Sequence, residues 1–210
     1  SLRTRDLSPP HPTLDIAVAL VGIRRCGKTY LAFQMSKEVL EENVLYYNFE
    51  DPIFYSNNKV ENLDLLLSVA SEFRTNPITH LILDEIHVVD GWERWLRKLI
   101  DLKKYNIIVT GSSAKMLSSE LATSLTGRAL EYKVWPLSFK EIITFQELNP
   151  KSQNEYLPIL RDTLTWGGFP EVRKLTTENR APLLKQYLTD ITLKDVISRN
   201  QIRNVRALDQ

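Results

Sequence analysis

Eight residues constrain this chain more than any other feature. Gly22-Ile23-Arg24-Arg25-Cys26-Gly27-Lys28-Thr29 matches the phosphate-loop pattern G-x-x-x-x-G-K-S/T at every fixed position. Residues 16–21 before it are continuously apolar, as in a strand buried on both faces of a parallel sheet. Residues 30–42 after it carry Leu31, Phe33, Met35, Val39 and Leu40 at helical spacing. Strand, glycine-bearing loop and helix is the context the pattern requires. A nucleoside triphosphate carries several negative charges, and the backbone N–H groups of a wrapped loop can surround them. Gly22 and Gly27 allow the wrap, and the helix that follows aims its N-terminal dipole at the phosphates. The whole run from Gly22 to Thr29, with Tyr30 beside it, is therefore the expected nucleotide-binding segment. Lys28 would reach the β and γ phosphates, and the Thr29 hydroxyl would take part in holding Mg²⁺. Arg24 and Arg25 could add charge around the phosphates, or face solvent or a neighbouring subunit. Cys26 occupies a permissive position.

A second pattern gives the loop a reaction. His80-Leu81-Ile82-Leu83 reads as a buried strand ending in Asp84-Glu85. Asp84 would hold the Mg²⁺ ion and Glu85 would orient and polarise an attacking water. The separation from the loop, about fifty-five residues, leaves room for one intervening strand and helix. Further strands are expected at 44–49, 106–110 and 130–134, with helices at 63–73 and 92–102. Strands alternating with helical patterns imply an α/β fold, a parallel sheet flanked by helices. In the order 5-1-4-3-2, the end of the fourth strand, Thr110-Gly111-Ser112-Ser113, falls between the loop and Glu85. A hydroxyl there can sense the γ-phosphate or hold the water, with Ser112 the first choice and Thr110 the second. The alternative is a simple Ser/Gly turn.

Glu85, Lys28, Ser112 and Arg128 make up the expected catalytic set. Arg128, just before the fifth strand, could reach a γ-phosphate in its own or a neighbouring subunit, or be a surface arginine. Arg173 is a weaker candidate of the same kind. Asn48, near the end of the second strand, could hold Glu85 away from water until a partner binds. His87 could hydrogen-bond near the water or satisfy local structure.

Residues after 135 change character. Ser138 is a candidate N-cap, residues 156–165 and 182–200 read as helices, and Trp166-Gly167-Gly168-Phe169-Pro170 reads as a turn. The expected organisation is a core over residues 1–135 and a helical lid subdomain over 136–210. A formal net charge of +1 sets up no global field toward nucleic acid or membrane. No apolar stretch approaches the ~20 residues needed to span a bilayer. The one cysteine excludes an intrachain disulfide and a multi-cysteine zinc site, and fits a cytoplasmic location. The four tryptophans are read as packing residues.

Together with Tyr46-Tyr47-Asn48-Phe49-Glu50-Asp51, Leu83-Asp84-Glu85-Ile86-His87, Thr110-Gly111-Ser112-Ser113-Ala114, Leu125-Thr126-Gly127-Arg128, Pro136-Leu137-Ser138-Phe139-Lys140-Glu141 and Gly167-Gly168-Phe169-Pro170-Glu171-Val172, the phosphate loop resembles one group: the AAA+-type P-loop ATPases of archaea and bacteria with an uncharacterised C-terminal domain. The resemblance spans nearly the whole chain. It implies an AAA+-like core, ATP rather than GTP, a helical lid, and a native protein that continues past Gln210 into a winged-helix-like segment. His87 departs from the group, which often has glutamine there.

The leading expectation is an ATPase that couples its nucleotide state to core and lid movement, with ATP and Mg²⁺ as ligands and a macromolecular partner of unknown kind. Oligomers are compatible with it. A GTPase would need a guanine-reading N-K-x-D run, which this sequence lacks. One alternative is a small-molecule kinase on the same loop. Another is a nucleic-acid-binding module with little ATP turnover, using Lys194, Arg199, Arg203 and Arg206; these four read first as a solvated helix face.

Overall fold

A computed structural model describes residues 5–52, 59–112 and 125–192. The chain divides into two compact units, one of residues 7–22 and 28–133, the other of residues 1–6, 23–27 and 134–210. The boundary near residue 134 comes with a detail absent from the sequence pattern. The middle of the phosphate loop, together with Arg5 and Asp6, groups with the second unit.

The first unit is built on β1 (Ala17–Val21), β2 (Val44–Asn48), β3 (His80–Asp84), β4 (Asn106–Gly111) and β5 (Ala129–Lys133). All pairs are parallel and the order is β2-β3-β4-β1-β5, the expected 5-1-4-3-2 read from the other edge. The central strands are apolar because both faces are covered: every residue of β1 is buried. The edge strands β2 and β5 are more exposed and correspondingly mixed in sequence. Register pairs Leu20 with Thr110 and Leu83 with Val109, so β4 lies between β1 and β3 and their C-terminal ends share one edge.

Helices α1 (Lys28–Met35), α2 (Val60–Glu72) and α3 (Trp92–Asp101) complete this unit. α3 buries Trp92, Trp95, Leu96, Leu99 and Ile100, the face expected from its spacing. α1 stops at Met35, well short of the expected Glu42. Ser36 bonds back to the Ala32 carbonyl through its side chain, and Val39 N–H turns to the Ser36 carbonyl, closing a turn where a longer helix was expected.

The second unit holds α4 (Phe139–Phe145), α5 (Gln153–Trp166), α6 (Pro170–Lys174) and α7 (Thr177–Ile191). Ser138 caps α4 in a full capping box with Glu141. Gly168 is obligatory here, because a Cβ would lie 2.1 Å from the Leu137 carbonyl oxygen. α7 starts at Thr177 and not at Pro182. Pro182 lies inside this helix, one turn beyond the start, and gives up one backbone hydrogen bond there. The expected continuation of α7 to Asn200 falls outside the described residues. Trp135 is 68% exposed, so not every tryptophan packs in a core. No helix among the described residues is long and apolar enough to cross a membrane.

Candidate nucleotide site

The strand order brings residues far apart in sequence to one edge of the sheet. β1 delivers Gly22 and, across the loop, Lys28 and Thr29 at the start of α1. β3 delivers Asp84 and Glu85, and β4 delivers Thr110 and Ser112. The Thr29 hydroxyl donates to the Asp84 carboxylate at 2.9 and 3.1 Å. Lys28 Nζ donates to the Gly22 carbonyl at 3.1 Å and lies 3.2 Å from Glu85 Oε1, with both side chains largely buried. A buried lysine beside a carbonyl and a carboxylate presents a fixed positive charge to anionic oxygens.

Thr110 holds the acid pair in place. Its hydroxyl donates to Asp84 Oδ1 and accepts the Glu85 N–H at 3.1 Å. That second bond matters because Glu85 has φ +54, in the left-handed region. The hydroxyl second in the expected ranking is thus engaged with the acids. Ser112 Oγ, the first choice, is fully buried and has no hydrogen-bond partner among the described residues. A buried unsatisfied hydroxyl calls for an explanation, and a ligand oxygen or water is the simplest one.

Tyr46 is a component the sequence did not single out. Its hydroxyl donates to Asp84 Oδ2 at 3.0 Å, and its ring meets Phe33 of α1 with centroids 4.9 Å apart. Burial, then the Asp84 charge and hydrogen bond, push the phenol above its ordinary pKa, so it stays a donor. The available signal was alternation: Tyr46 shares a strand face with Asn48.

Asn48 is turned to its own loop, where its side-chain oxygen accepts the Glu50 N–H at 3.0 Å. His87 Nδ1 is the group found beside Glu85, 3.3 Å from Oε2. Arg128 is not brought to this edge. It precedes Ala129, which pairs with Ala17 at the start of β1, and its Nε donates to Asp101 Oδ1 at 3.0 Å. The loop follows Val21 at the other end of β1, about 13 Å away at strand rise. Arg128 thus stands by the opposite end of β1 from the phosphate loop, beside Asp101. Ser113, Lys194, Arg199, Arg203 and Arg206 lie outside the described residues.

In the second unit, Gly27 has φ +99, and a Cβ on it would come within 3.1 Å of Arg5 Nη1. Arg5 donates to the Cys26 carbonyl at 2.9 Å, and Cys26 Sγ to the Val134 carbonyl at 3.3 Å. Arg173 is buried and paired with Asp162, which also accepts from Arg180 at 2.6 Å. Its Nε and Nη2 have no hydrogen-bond partner among the described residues.

The residues present fit a hydrated divalent cation: a threonine hydroxyl and a carboxylate in mutual contact beside a lysine are oxygen donors of the type Mg²⁺ takes. No group of three or more His, Cys, Asp or Glu side chains among the described residues is placed to hold a metal ion.

The chain is 38% identical over 196 residues to an uncharacterised protein of Methanocaldococcus jannaschii, a match covering 90% of this chain and 44% of the relative. It is 30% identical over 200 residues to an uncharacterised protein of Haemophilus influenzae, covering 92% and 49%. The chain thus spans about half the length of these relatives. Among solved structures, AMPPCP-bound DnaA from Aquifex aeolicus is similar at 17% identity and TM-score 0.46, over 90% of this chain and 58% of that one. PCH-2 from C. elegans is similar at 19% identity and TM-score 0.43, over 62% and 37%. A family model described as an AAA domain matches residues 15–143, most of the chain, and the chain belongs to that family of AAA-type P-loop domains.

Proposed function

We propose that this chain binds ATP at residues 22–30 and hydrolyses it, and that the nucleotide state is passed to the helical unit. One observation carries the reading: Lys28, Thr29, Asp84 and Glu85, from segments 55 residues apart, meet at 2.9–3.2 Å in the arrangement that phosphoryl transfer to water needs. Lys28 and the loop N–H groups take the β and γ phosphates. Thr29 and Asp84 hold the Mg²⁺ ion that accompanies the nucleotide and neutralises charge on the phosphate oxygens.

Phosphate oxygens entering the loop compete with Glu85 for Lys28 Nζ. Loss of that partner frees Glu85 to accept a hydrogen bond from water. As the water oxygen bonds to the γ-phosphorus, the bond from phosphorus to the β-bridging oxygen breaks. ADP leaves with that electron pair, and the water proton passes toward Glu85. Ser112, with its unsatisfied hydroxyl, holds the water or the γ-phosphate. The grouping of residues 23–27 with the helical unit supports coupling between nucleotide and lid. Arg128 enters, in this proposal, only from a neighbouring copy.

The test is product analysis with γ-labelled ATP. Free labelled phosphate, with no labelled small product in the presence of candidate acceptors, is the expected result. A labelled small molecule would transfer the reading to a kinase. Turnover stimulated by a partner such as DNA marks a motor; tight, slowly released ADP marks a switch.

A further inference from the structure

Arg25 has no role in the hydrolysis scheme, yet its geometry is unusual. Its φ of +66 lies in the left-handed region. For a residue with a Cβ this region is disfavoured by about tenfold, and for glycine not at all. The side chain is held at two points on α7. Nη2 donates to Asp190 Oδ2 at 2.9 Å, and the guanidinium carbon lies 4.4 Å from the centroid of the Tyr187 ring. Tyr187 is 2% exposed and meets Phe169 edge-on at 5.3 Å, so the ring is fixed. An ion pair this exposed is worth at most about fivefold, and a cation–π contact about two- to fivefold. The two together roughly match the left-handed cost. Cys26 is held separately, by Arg5, so the α7 tether acts at residue 25.

We infer that Arg25 is a positioning residue that makes the phosphate-binding shape of the loop conditional on α7. With Tyr187 and Asp190 in place, the left-handed turn is offset and the loop N–H groups converge. With α7 withdrawn, the turn relaxes and the phosphates lose their cradle. By reciprocity, nucleotide in the loop favours α7 docked on Arg25. A glycine at this position would hold the turn unaided; arginine ties it to the helical unit. The inference rests on residues 22–29 being the phosphate site.

The experiment is calorimetric titration of ADP into the 210-residue chain and four variants. Asp190→Ala is expected to weaken binding about threefold to fivefold. Arg25→Ala, which loses the tether but keeps the backbone cost, is expected to bind about tenfold more weakly than Arg25→Gly. In the Arg25→Gly background, Asp190→Ala is expected to have no further effect, and that double variant binds better than Asp190→Ala alone, which excludes misfolding as the cause. The proposal is overturned if Asp190→Ala binds like the wild type, if it costs the same factor in both backgrounds, or if alanine and glycine at position 25 are equivalent. A wild type that binds no ADP overturns the phosphate-site reading as well; a binding wild type with no coupling overturns this proposal alone.

Discussion

Asp84 accepts hydrogen bonds from three hydroxyls on three elements: Thr29 from α1, Tyr46 from β2 and Thr110 from β4. A carboxylate held from three sides has one orientation, which is what a metal ligand needs. Tyr46→Phe keeps the ring against Phe33 and removes one bond to a charged group. The expected outcome is about a tenfold loss of Mn²⁺ affinity in the ADP-loaded chain, read by electron paramagnetic resonance, with a much smaller loss of metal-free ADP affinity. Equal losses in both would mean that Tyr46 acts only on folding. Ser112→Ala should lower turnover by about 10²-fold, with a smaller effect on ADP affinity, measured by phosphate release and titration. At this scale the sequence singled out Asp84 and Glu85 through the phosphate loop that precedes them; alone, an apolar run ending in two acids reads equally as a strand capped by solvated acids. It did not reveal Tyr46 or Thr110 as their partners. Those contacts depend on register between strands, and register is set by the whole sheet.

The short helix α4 owes its start to two reciprocal bonds between Ser138 and Glu141. Glu141 carries a second duty. Both its oxygens face the Arg5 guanidinium, the closer pair at 2.7 Å, and this ion pair is almost fully buried. Burial alone would raise the Glu141 pKa, but hydrogen bonds from Arg5 and Ser138 outweigh it and leave the pKa below its ordinary 4.5. A depressed carboxylate stabilises the fold above its unfolded pKa and loses that contribution as pH falls through the folded value. Thermal melts should therefore show a stability term that is constant above about pH 5 and declines below about 4.5. Glu141→Gln should flatten that decline; an unchanged acid limb would contradict the assignment. All five strands were legible from apolar spacing, whereas α6 was not, because it follows directly on residues that read as a turn. Ends were not. α1 ends at Met35, where the Val39 N–H turns to the Ser36 carbonyl, and α7 starts at Thr177 with Pro182 inside it.

Two compact units share a loop whose ends, Gly22 and Lys28, belong to the sheet and whose middle belongs to the helices. Periodicity carried no sign that Arg5, Asp6 and residues 23–27 group with the helical unit. Those contacts, such as Arg5 with Glu141 across 136 residues, leave no local pattern. The same holds for Arg128. Its place before a strand made it a candidate, and the parallel sheet puts that end away from its own phosphate loop. If Arg128 acts on a neighbouring copy, Arg128→Ala and Glu85→Gln are each inactive alone but regain phosphate release when mixed, since some interfaces then combine an intact Arg128 with an intact Glu85. No recovery across a range of ratios would assign Arg128 to its bond with Asp101 alone. The central claim, hydrolysis at Lys28 and Glu85, is tested most directly by ATP turnover of the wild type, Lys28→Ala and Glu85→Gln, each with and without DNA. The account predicts wild-type phosphate release, a drop of at least about 10²-fold in both variants, and retained ATP binding in Glu85→Gln. A wild type that binds no nucleotide, or a Glu85→Gln variant that turns over as fast as the wild type, would contradict it.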